Sequence, residues 1–178
     1  NSSISGNFIS AIAEDKEGNI WVATGKNGLN CFNRSTEKFT RYTREGKNQF
    51  AISSNQLQSV TIDSDGNIWI GTADAGMDRI NTATGTRIHY SSNKNDSTSL
   101  SENNVINIYE DSKKNIWVAV YGGGLNLLNK KSNTFTRYRH QNSNPTSISS
   151  DKVYSIFEDS RNRLWIGTHG GGLNLFNP

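Results

Sequence analysis

Four tryptophans, Trp21, Trp69, Trp117 and Trp165, stand 48 residues apart in a chain of 178. Around each, the same residues recur in the same register with no gap. Asp15, Asp63, Asp111 and Asp159 precede the Trp by six residues; Gly28, Gly76, Gly124 and Gly172 follow it by seven; Asn33, Asn81, Asn129 and Asn177 follow by twelve. A chain that repeats itself at this period is built from copies of one supersecondary unit, and a unit of this size cannot bury its apolar face alone. The repeat leaves no room for a linker or a second domain. The expectation is one domain, residues 1–178, in units at about 1–50, 51–98, 99–146 and 147–178.

Each unit reads as four short strands, the last copy excepted. The first is Ile9–Glu14 with its equivalents Leu57–Ile62, Val105–Glu110 and Val153–Glu158, apolar with small or polar interruptions. A turn follows, Asp-x-x-x-Asn in three copies, with Arg163 in the Asn place of the fourth. Gly18 and Gly66 can supply a positive φ there; Lys114 and Asn162 replace them, and Asn tolerates that conformation better than Lys. The second strand, Ile20–Thr24, Ile68–Thr72, Ile116–Val120 and Leu164–Thr168, is continuously apolar, which indicates burial on both faces. The third is Leu29–Asn33, Met77–Asn81, Leu125–Asn129 and Leu173–Asn177. The fourth, Phe39–Thr43, Arg87–Ser91 and Phe135–Arg139, mixes apolar and polar residues as an edge strand does, with Arg41 and Arg137 as edge charges. No helical periodicity exceeds one turn.

Composition removes several function classes. One cysteine, Cys31, rules out a disulfide framework and a multi-thiolate zinc site. No apolar run is long enough to cross a bilayer, so no membrane contact is expected of this segment. The net charge of +3 comes from scattered residues and makes no basic patch, which argues against nucleic acid. The sequence opens at Asn1 with no signal-peptide pattern, as a mature protein or an excised piece would.

Four-stranded units of this length with a recurring Trp are the signature of propeller blades, whose sheets stack face to face around an axis. The fold class expected is all-β: a β-propeller of four 48-residue blades, the last lacking its outer strand. The stretch from Ser147 to Asn177, Ser-Ile-Ser-Ser-x-x-Val-x-Ser-Ile-x-Glu-Asp-Ser-x-x-x-Leu-Trp-Ile-Gly-Thr-x-Gly-Gly-Gly-Leu-Asn-x-Phe-Asn, resembles the two-component regulator propeller repeat. That repeat occurs in the periplasmic sensor half of hybrid two-component systems of gut Bacteroidetes. Such sensors carry further blades, another β-domain, a membrane span, a histidine kinase and a response regulator. The resemblance implies periplasmic location and recognition of oligosaccharides, without catalysis by this module.

The register places residues 1–6 with the connecting loops 49–54, 97–102 and 145–150, so the N-terminal segment does not supply the missing outer strand. Four blades would then expose apolar faces at both ends. Two copies forming an eight-bladed ring would cover those faces, which makes a homodimer the expected partner; a four-bladed ring closed within one chain is the alternative. Gap-free spacing also suits an engineered or recently amplified repeat.

No catalytic constellation emerges, and no metal or cofactor is expected. The fourfold Asp fits a turn former bonding nearby N–H groups. Gly-Gly-Gly-Leu at Gly122–Leu125 and Gly170–Leu173 precedes a strand rather than a helix, unlike a phosphate cradle. The Trp residues lie in apolar runs as core. His89 aligns with Arg41 and Arg137 at a surface edge, and His140 lies in a polar connection; neither shares a metal-ligand spacing with the other or with His169. His169 aligns with Gly25, Ala73 and Tyr121 directly after the second strand, a place that varies while its surroundings vary less. The turns between second and third strands and the long connections between units share one end of the sheets. There Lys26, Asn27, Asp74, Tyr121 and His169 meet Asn7, Asn55, Gln56, Asn103, Asn104, Asp151 and Lys152. Paired donors and acceptors with an aromatic ring suit a neutral polyhydroxylated ligand. The candidate ligand-binding residues are Lys26, Asn55, Asp74, Asn103, Tyr121, Asp151 and His169. Two other readings stand beside this one: a structural fragment with no ligand, and an enzyme similar to streptogramin lyases, whose Gly-Asn-Ile-Trp repeats are alike.

Overall fold

The computed structural model describes residues 3–47 and 50–177. Among them there are strands and turns but no helix. The first repeat forms β1 (Ile9–Glu14), β2 (Ile20–Thr24), β3 (Gly28–Asn33) and β4 (Lys38–Tyr42). The second forms β5 (Leu57–Ile62), β6 (Asn67–Thr72), β7 (Met77–Asn81) and β8 (Thr86–Tyr90). The third forms β9 (Val105–Glu110), β10 (Ile116–Val120), β11 (Gly124–Asn129) and β12 (Thr134–Tyr138). The fourth has β13 (Val153–Glu158), β14 (Leu164–Thr168) and β15 (Gly172–Phe176). Each repeat is an antiparallel meander in chain order, giving three four-stranded sheets and one of three strands. Fourth strands begin and end one residue earlier than the sequence suggested, because Asn33, Asn81 and Asn129 pair directly with Lys38, Thr86 and Thr134. The N-terminal residues 1 and 2 and the C-terminal Pro178 lie outside the described residues.

The chain divides into two compact units, residues 1–90 and 91–178, each holding two sheets. In the first unit, Trp21, Ala23, Leu29 and Cys31 of one sheet pack on Leu57, Val60, Ile68 and Ile70 of the next. In the second, Trp117, Ala119 and Leu125 pack on Val153, Ile156, Leu164 and Ile166. The two interfaces use equivalent positions, so one packing scheme is written twice. Each fully buried Leu or Ile contributes about 1.5–3 kcal/mol, more than a typical net hydrogen bond of about 1 kcal/mol, so these stacked faces rather than the turns hold each unit together. Ile52, Leu100 and Ile148 belong to connecting loops, yet all three are buried and pin those loops to the sheets.

The Asp turn does more than cap backbone. Asp15 Oδ1 accepts from the N–H groups of Glu17 (3.1 Å) and Asn19 (2.8 Å), as expected. Its Oδ2 accepts from Asn19 Nδ2 and, at 2.8 Å, from the Trp21 indole N–H. Asp63 and Asp111 repeat the set, and Asp159 keeps it with the Arg163 guanidinium in place of the Asn amide, at 2.7 Å. Burial works to raise the Asp15 and Asp111 carboxyls, but the bonds from Trp and Asn outweigh it and hold both below the usual carboxylate range. Lys114 and Asn162 do take the positive φ that Gly18 and Gly66 supply, at 63° and 58°.

Two edge-strand residues also bond inward. Arg137 on β12 donates to the carbonyls of Asp96, Ser99 and Leu100 and braces the preceding connection. His89 on β8 is exposed, and its Nδ1 lies 2.9 Å from Oδ1 of the fully buried Asp78.

Candidate functional site

A repeated backbone bond builds one end of every sheet. The N–H groups of Gly25, Ala73, Tyr121 and His169 donate to the carbonyls of Phe8, Gln56, Asn104 and Lys152, at 3.0, 2.9, 2.9 and 2.8 Å. This ties the turn after the second strand to the residue leading into the first. The backbone is constant, while the two side chains it brings together differ in every copy. Just beyond, the first strand carries a β-bulge: pairing slips between Ile9 and Ala11, Leu57 and Ser59, and Val153 and Ser155, and opposite Ala119 and Val120 in the third sheet. The unpaired residues are Ser10, Gln58, Ile106 and Tyr154. A bulge re-aims a side chain out of the ladder.

In the second unit these devices gather a ring cluster. The Tyr121 and Tyr154 ring centroids lie 5.9 Å apart, edge to face at 83°. Tyr154 and His169 are also 5.9 Å apart, at 36°. Lys152 Nζ stands 5.7 Å from the Tyr121 ring centroid, and Lys152 and Tyr121 form an isolated antiparallel bridge. Lys152, Tyr154 and His169 are exposed and Tyr121 is half-buried. Three rings in contact with water, with a cation on one of them, thus lie together at this end of the second unit. Tyr154 was not among the residues singled out from sequence. The signal for it was present: the bulge position reads Ser, Gln, Ile and then Tyr.

The other candidates divide by what their side chains already do. Asn55 Oδ1 accepts the Arg44 N–H at 2.9 Å, Asn103 Oδ1 accepts the Ser92 N–H at 2.7 Å, and Asp151 Oδ1 accepts the His140 N–H at 2.7 Å. One oxygen of each therefore shapes its own loop. The Asn55 amide also donates to Glu45, and that bond, first among several, holds the Glu45 carboxyl below its usual range. In the first unit Asp74 accepts from Gln56 Nε2 at 3.2 Å, and Lys26 is exposed on the turn between β2 and β3. Tyr121 and His169 thus both meet Tyr154 in the second unit, where the Asp151 side chain is bonded to its own loop, while Lys26, Asp74 and Asn55 lie at the corresponding end of the first.

The opposite end of the second unit has a groove lined by Asp111, Lys113, Trp117, Glu158 and Arg163. Its acids are spoken for: Asp111 by Trp117 and Asn115, and Glu158 by the Ser112 N–H and hydroxyl. Among the described residues, no group of three or more His, Cys, Asp or Glu side chains is placed to hold a metal ion, and no helix is long and apolar enough to cross a membrane.

Comparison with known proteins places this architecture. The chain is similar to the extracellular domain assigned to the hybrid two component system BT3049 of B. thetaiotaomicron, at 26% identity and a TM-score of 0.81, over 98% of this chain and 23% of that one. A second such extracellular domain, BT4673 of the same organism, matches at 20% identity and a TM-score of 0.53, over 97% of this chain and 30% of that one. Virginiamycin B lyase of Staphylococcus aureus shares the fold at 20% identity and a TM-score of 0.65, over 96% of this chain and 56% of that one. The chain thus spans about a quarter of the BT3049 domain and less than a third of the BT4673 domain. No curated protein sequence matches it. The family described as two component regulator propeller matches residues 3–26, 51–74, 99–122 and 147–170, one segment per repeat and together more than half the sequence. The repeated sheets with their Asp and Trp turns are propeller blades, and the chain belongs to the two component regulator propeller family.

Proposed function

We propose that the chain is a non-enzymatic recognition module from the periplasmic, ligand-sensing part of a hybrid two-component sensor, and that its ligand is an oligosaccharide. The observation that carries this reading is the Tyr121–Tyr154–His169 cluster beside Lys152. A fixed backbone presents exposed rings there at positions where the other repeats carry Gly, Ala, Ser or Gln. A pyranose lays its C–H face on such rings while its hydroxyls reach the Asp151 carboxylate and the Lys152 ammonium. The same ends of the first two blades, in the first unit, carry Lys26, Asn55, Gln56 and Asp74, polar groups able to meet a sugar there in their own right, and Asn103 adds an amide at the third.

The test is a glycan array followed by an NMR titration of the isotope-labelled chain with the best binder. Binding should move the amides of residues 121, 152, 154 and 169 first. Tyr154→Ala should weaken it about fivefold, as expected when one ring contact worth roughly 1 kcal/mol is lost. Failure of every glycan to bind at millimolar concentration would leave the fragment as architecture without a ligand.

A further inference from the structure

We propose that the Asp-turn end of the second unit binds an acidic polysaccharide, whose carboxylate or sulfate groups meet Lys113, Lys114, Lys130 and Lys131. These residues are two Lys-Lys pairs that stand apart in the sequence. The meander brings them together, because the β9–β10 and β11–β12 turns lie at the same end of one sheet. Lys114, Lys130 and Lys131 line a groove of about 380 Å³ there, beside Asn115 and Asn129. Lys113 and Arg163, with Asn115 and Asn162, line a second groove of about 530 Å³. Charge that looks scattered along the chain is thus sorted in space. Counting the three turns and the strand ends beside them, Arg161 and Arg163 join the lysines to make six cations, against the four carboxylates of Glu110, Asp111, Glu158 and Asp159. Lys113, Lys114, Lys131 and Arg161 are exposed. The carboxylates are half-buried and engaged: Glu110 with Lys130 at 3.5 Å, Asp111 with Trp117, Glu158 with Ser112 and Asp159 with Trp165.

The same end of the first unit has the opposite sign. Three cations, Lys16, Arg34 and Lys38, stand there among six carboxylates, Glu14, Asp15, Glu17, Glu37, Asp63 and Asp65. Both units make the same Asp turn, so the turn itself does not require lysine. Lys114 adds an independent observation. Its φ is 63°, where the first two repeats have Gly18 at 78° and Gly66 at 84°. A β-carbon is disfavoured in that conformation, and lysine lacks the short polar side chain that eases it for Asn162 in the fourth repeat. A side chain held against its own backbone preference points to a role beyond folding. Ammonium groups suit carboxylates and sulfates, and the Asn amides beside them suit sugar hydroxyls. The choice of a polysaccharide over a nucleic acid rests on the periplasmic reading proposed above; the site is separate from the Tyr121 cluster, at the opposite end of the unit.

The experiment is an NMR titration of the isotope-labelled 178-residue chain, with calorimetry for affinity. The probes are heparin fragments for sulfate, oligogalacturonate for carboxylate, neutral maltooligosaccharides, and single-stranded DNA of matched charge. At least one acidic saccharide should bind and move the amides of residues 113, 114, 130 and 131. Raising the salt from about 50 to about 200 mM should weaken it at least about tenfold, as roughly three neutralised groups require. Lys113→Glu combined with Lys131→Glu should weaken it about tenfold or more, since two exposed attractions become repulsions. Both positions are exposed, so circular dichroism should find that variant folded. Lys114→Gly should weaken binding about threefold without lowering the urea midpoint, because glycine takes this φ freely. The proposal is overturned if neither acidic saccharide binds, if the neutral one moves the same amides as strongly, or if DNA binds more tightly. Unchanged affinity after charge reversal, or a lower midpoint for Lys114→Gly, overturns it as well. Shifts confined to residues 121, 152, 154 and 169 would uphold the ring-cluster reading and overturn this one.

Discussion

Replacing Asp63 with Ala tests whether burial sets the strength of the Asp and Trp turn. Asp63 is buried, and its carboxylate accepts from Asp65 N, from Asn67 N at 2.8 Å, from Asn67 Nδ2 and from Trp69 Nε1 at 2.8 Å. Water can replace the first of these, because Asp65 is exposed. It cannot readily reach the other three donors, since Trp69 is 0% and Asn67 2% exposed. Each orphaned buried donor costs about 1–3 kcal/mol, so the sum, after some relaxation, is about 3–5 kcal/mol. With a urea slope of about 2 kcal/mol per molar, the first unit should unfold at a midpoint about 2 M lower.

The same chain contains the control. Asp159 makes equivalent bonds to Arg161 N, Arg163 N and Nε, and Trp165 Nε1. There Arg163 is exposed and Trp165 only half-buried. Water takes over when Asp159 becomes Ala, so its midpoint should move by a small fraction of the Asp63 shift. Asp15→Ala and Asp111→Ala should fall between. Urea melts followed by far-ultraviolet circular dichroism rank all four variants. Equal shifts for Asp63→Ala and Asp159→Ala would refute the claim that solvent exclusion, rather than bond count, governs this turn.

Three further outcomes are expected. Asp15, Asp111 and Asp159 are held below the free value of 3.8, Asp159 chiefly by its Trp165 bond, so their contribution is complete above about pH 4 and drains away as the pH falls through the folded values; urea midpoints should decline below that pH and not above it from this source. Gly124 has φ 77° and a Cβ there would lie 2.3 Å from the Tyr138 carbonyl oxygen, whereas Gly122, at φ 78°, has open space; Gly122→Ala should cost about 1 kcal/mol of left-handed strain and Gly124→Ala distinctly more, measured by the same melts. Burial first, and then the Asp15 charge, push the Cys31 thiol up to about 11, so iodoacetamide at about pH 8 should label the folded chain about two orders of magnitude more slowly than the urea-unfolded chain.

Much of the fold was legible because its signals are local and repeated. The 48-residue period, the continuously apolar second strands and the Asp turns each depend on residues within a few places of one another, and four copies confirm each reading. What was missed crosses strands. The Asp carboxylate reaches an indole six residues on, around a turn, and neither composition nor spacing says that the ring nitrogen points back. The bulge that aims Tyr154 at Tyr121 and His169 is a slip in pairing between two strands, and the first strand alone does not declare it. The register placed Asn55, Asn103 and Asp151 at the end of the sheets but did not reveal that one side-chain oxygen of each accepts a hydrogen bond from its own loop.

The repeats differ from one another in two ways. In three repeats an Asn amide clasps a Ser: Asn30 with Ser5, Asn126 with Ser101, Asn174 with Ser149. The second repeat has Asp78 there, which still accepts the Ser53 N–H at 2.7 Å but has no amide to donate. Its remaining oxygen is met by His89, which stands where the others have Arg41 and Arg137. The lost arginine is restored two residues away: Arg87 donates to the Ala51 carbonyl, as Arg41 and Arg137 donate to the equivalent carbonyls of Ser3 and Ser99. Arg163 standing in for an Asn amide is a change of the same kind. Such changes are compensated because a buried polar group must keep its partners. The changes from Gly25 to Ala73, Tyr121 and His169 are of another kind, since the backbone bond at that place is the same whatever the side chain. The side chains there answer to one another instead: the Phe8 ring covers Gly25, while Tyr121 and His169 each pack against Tyr154, so this place varies together with its neighbours while the blade stays the same.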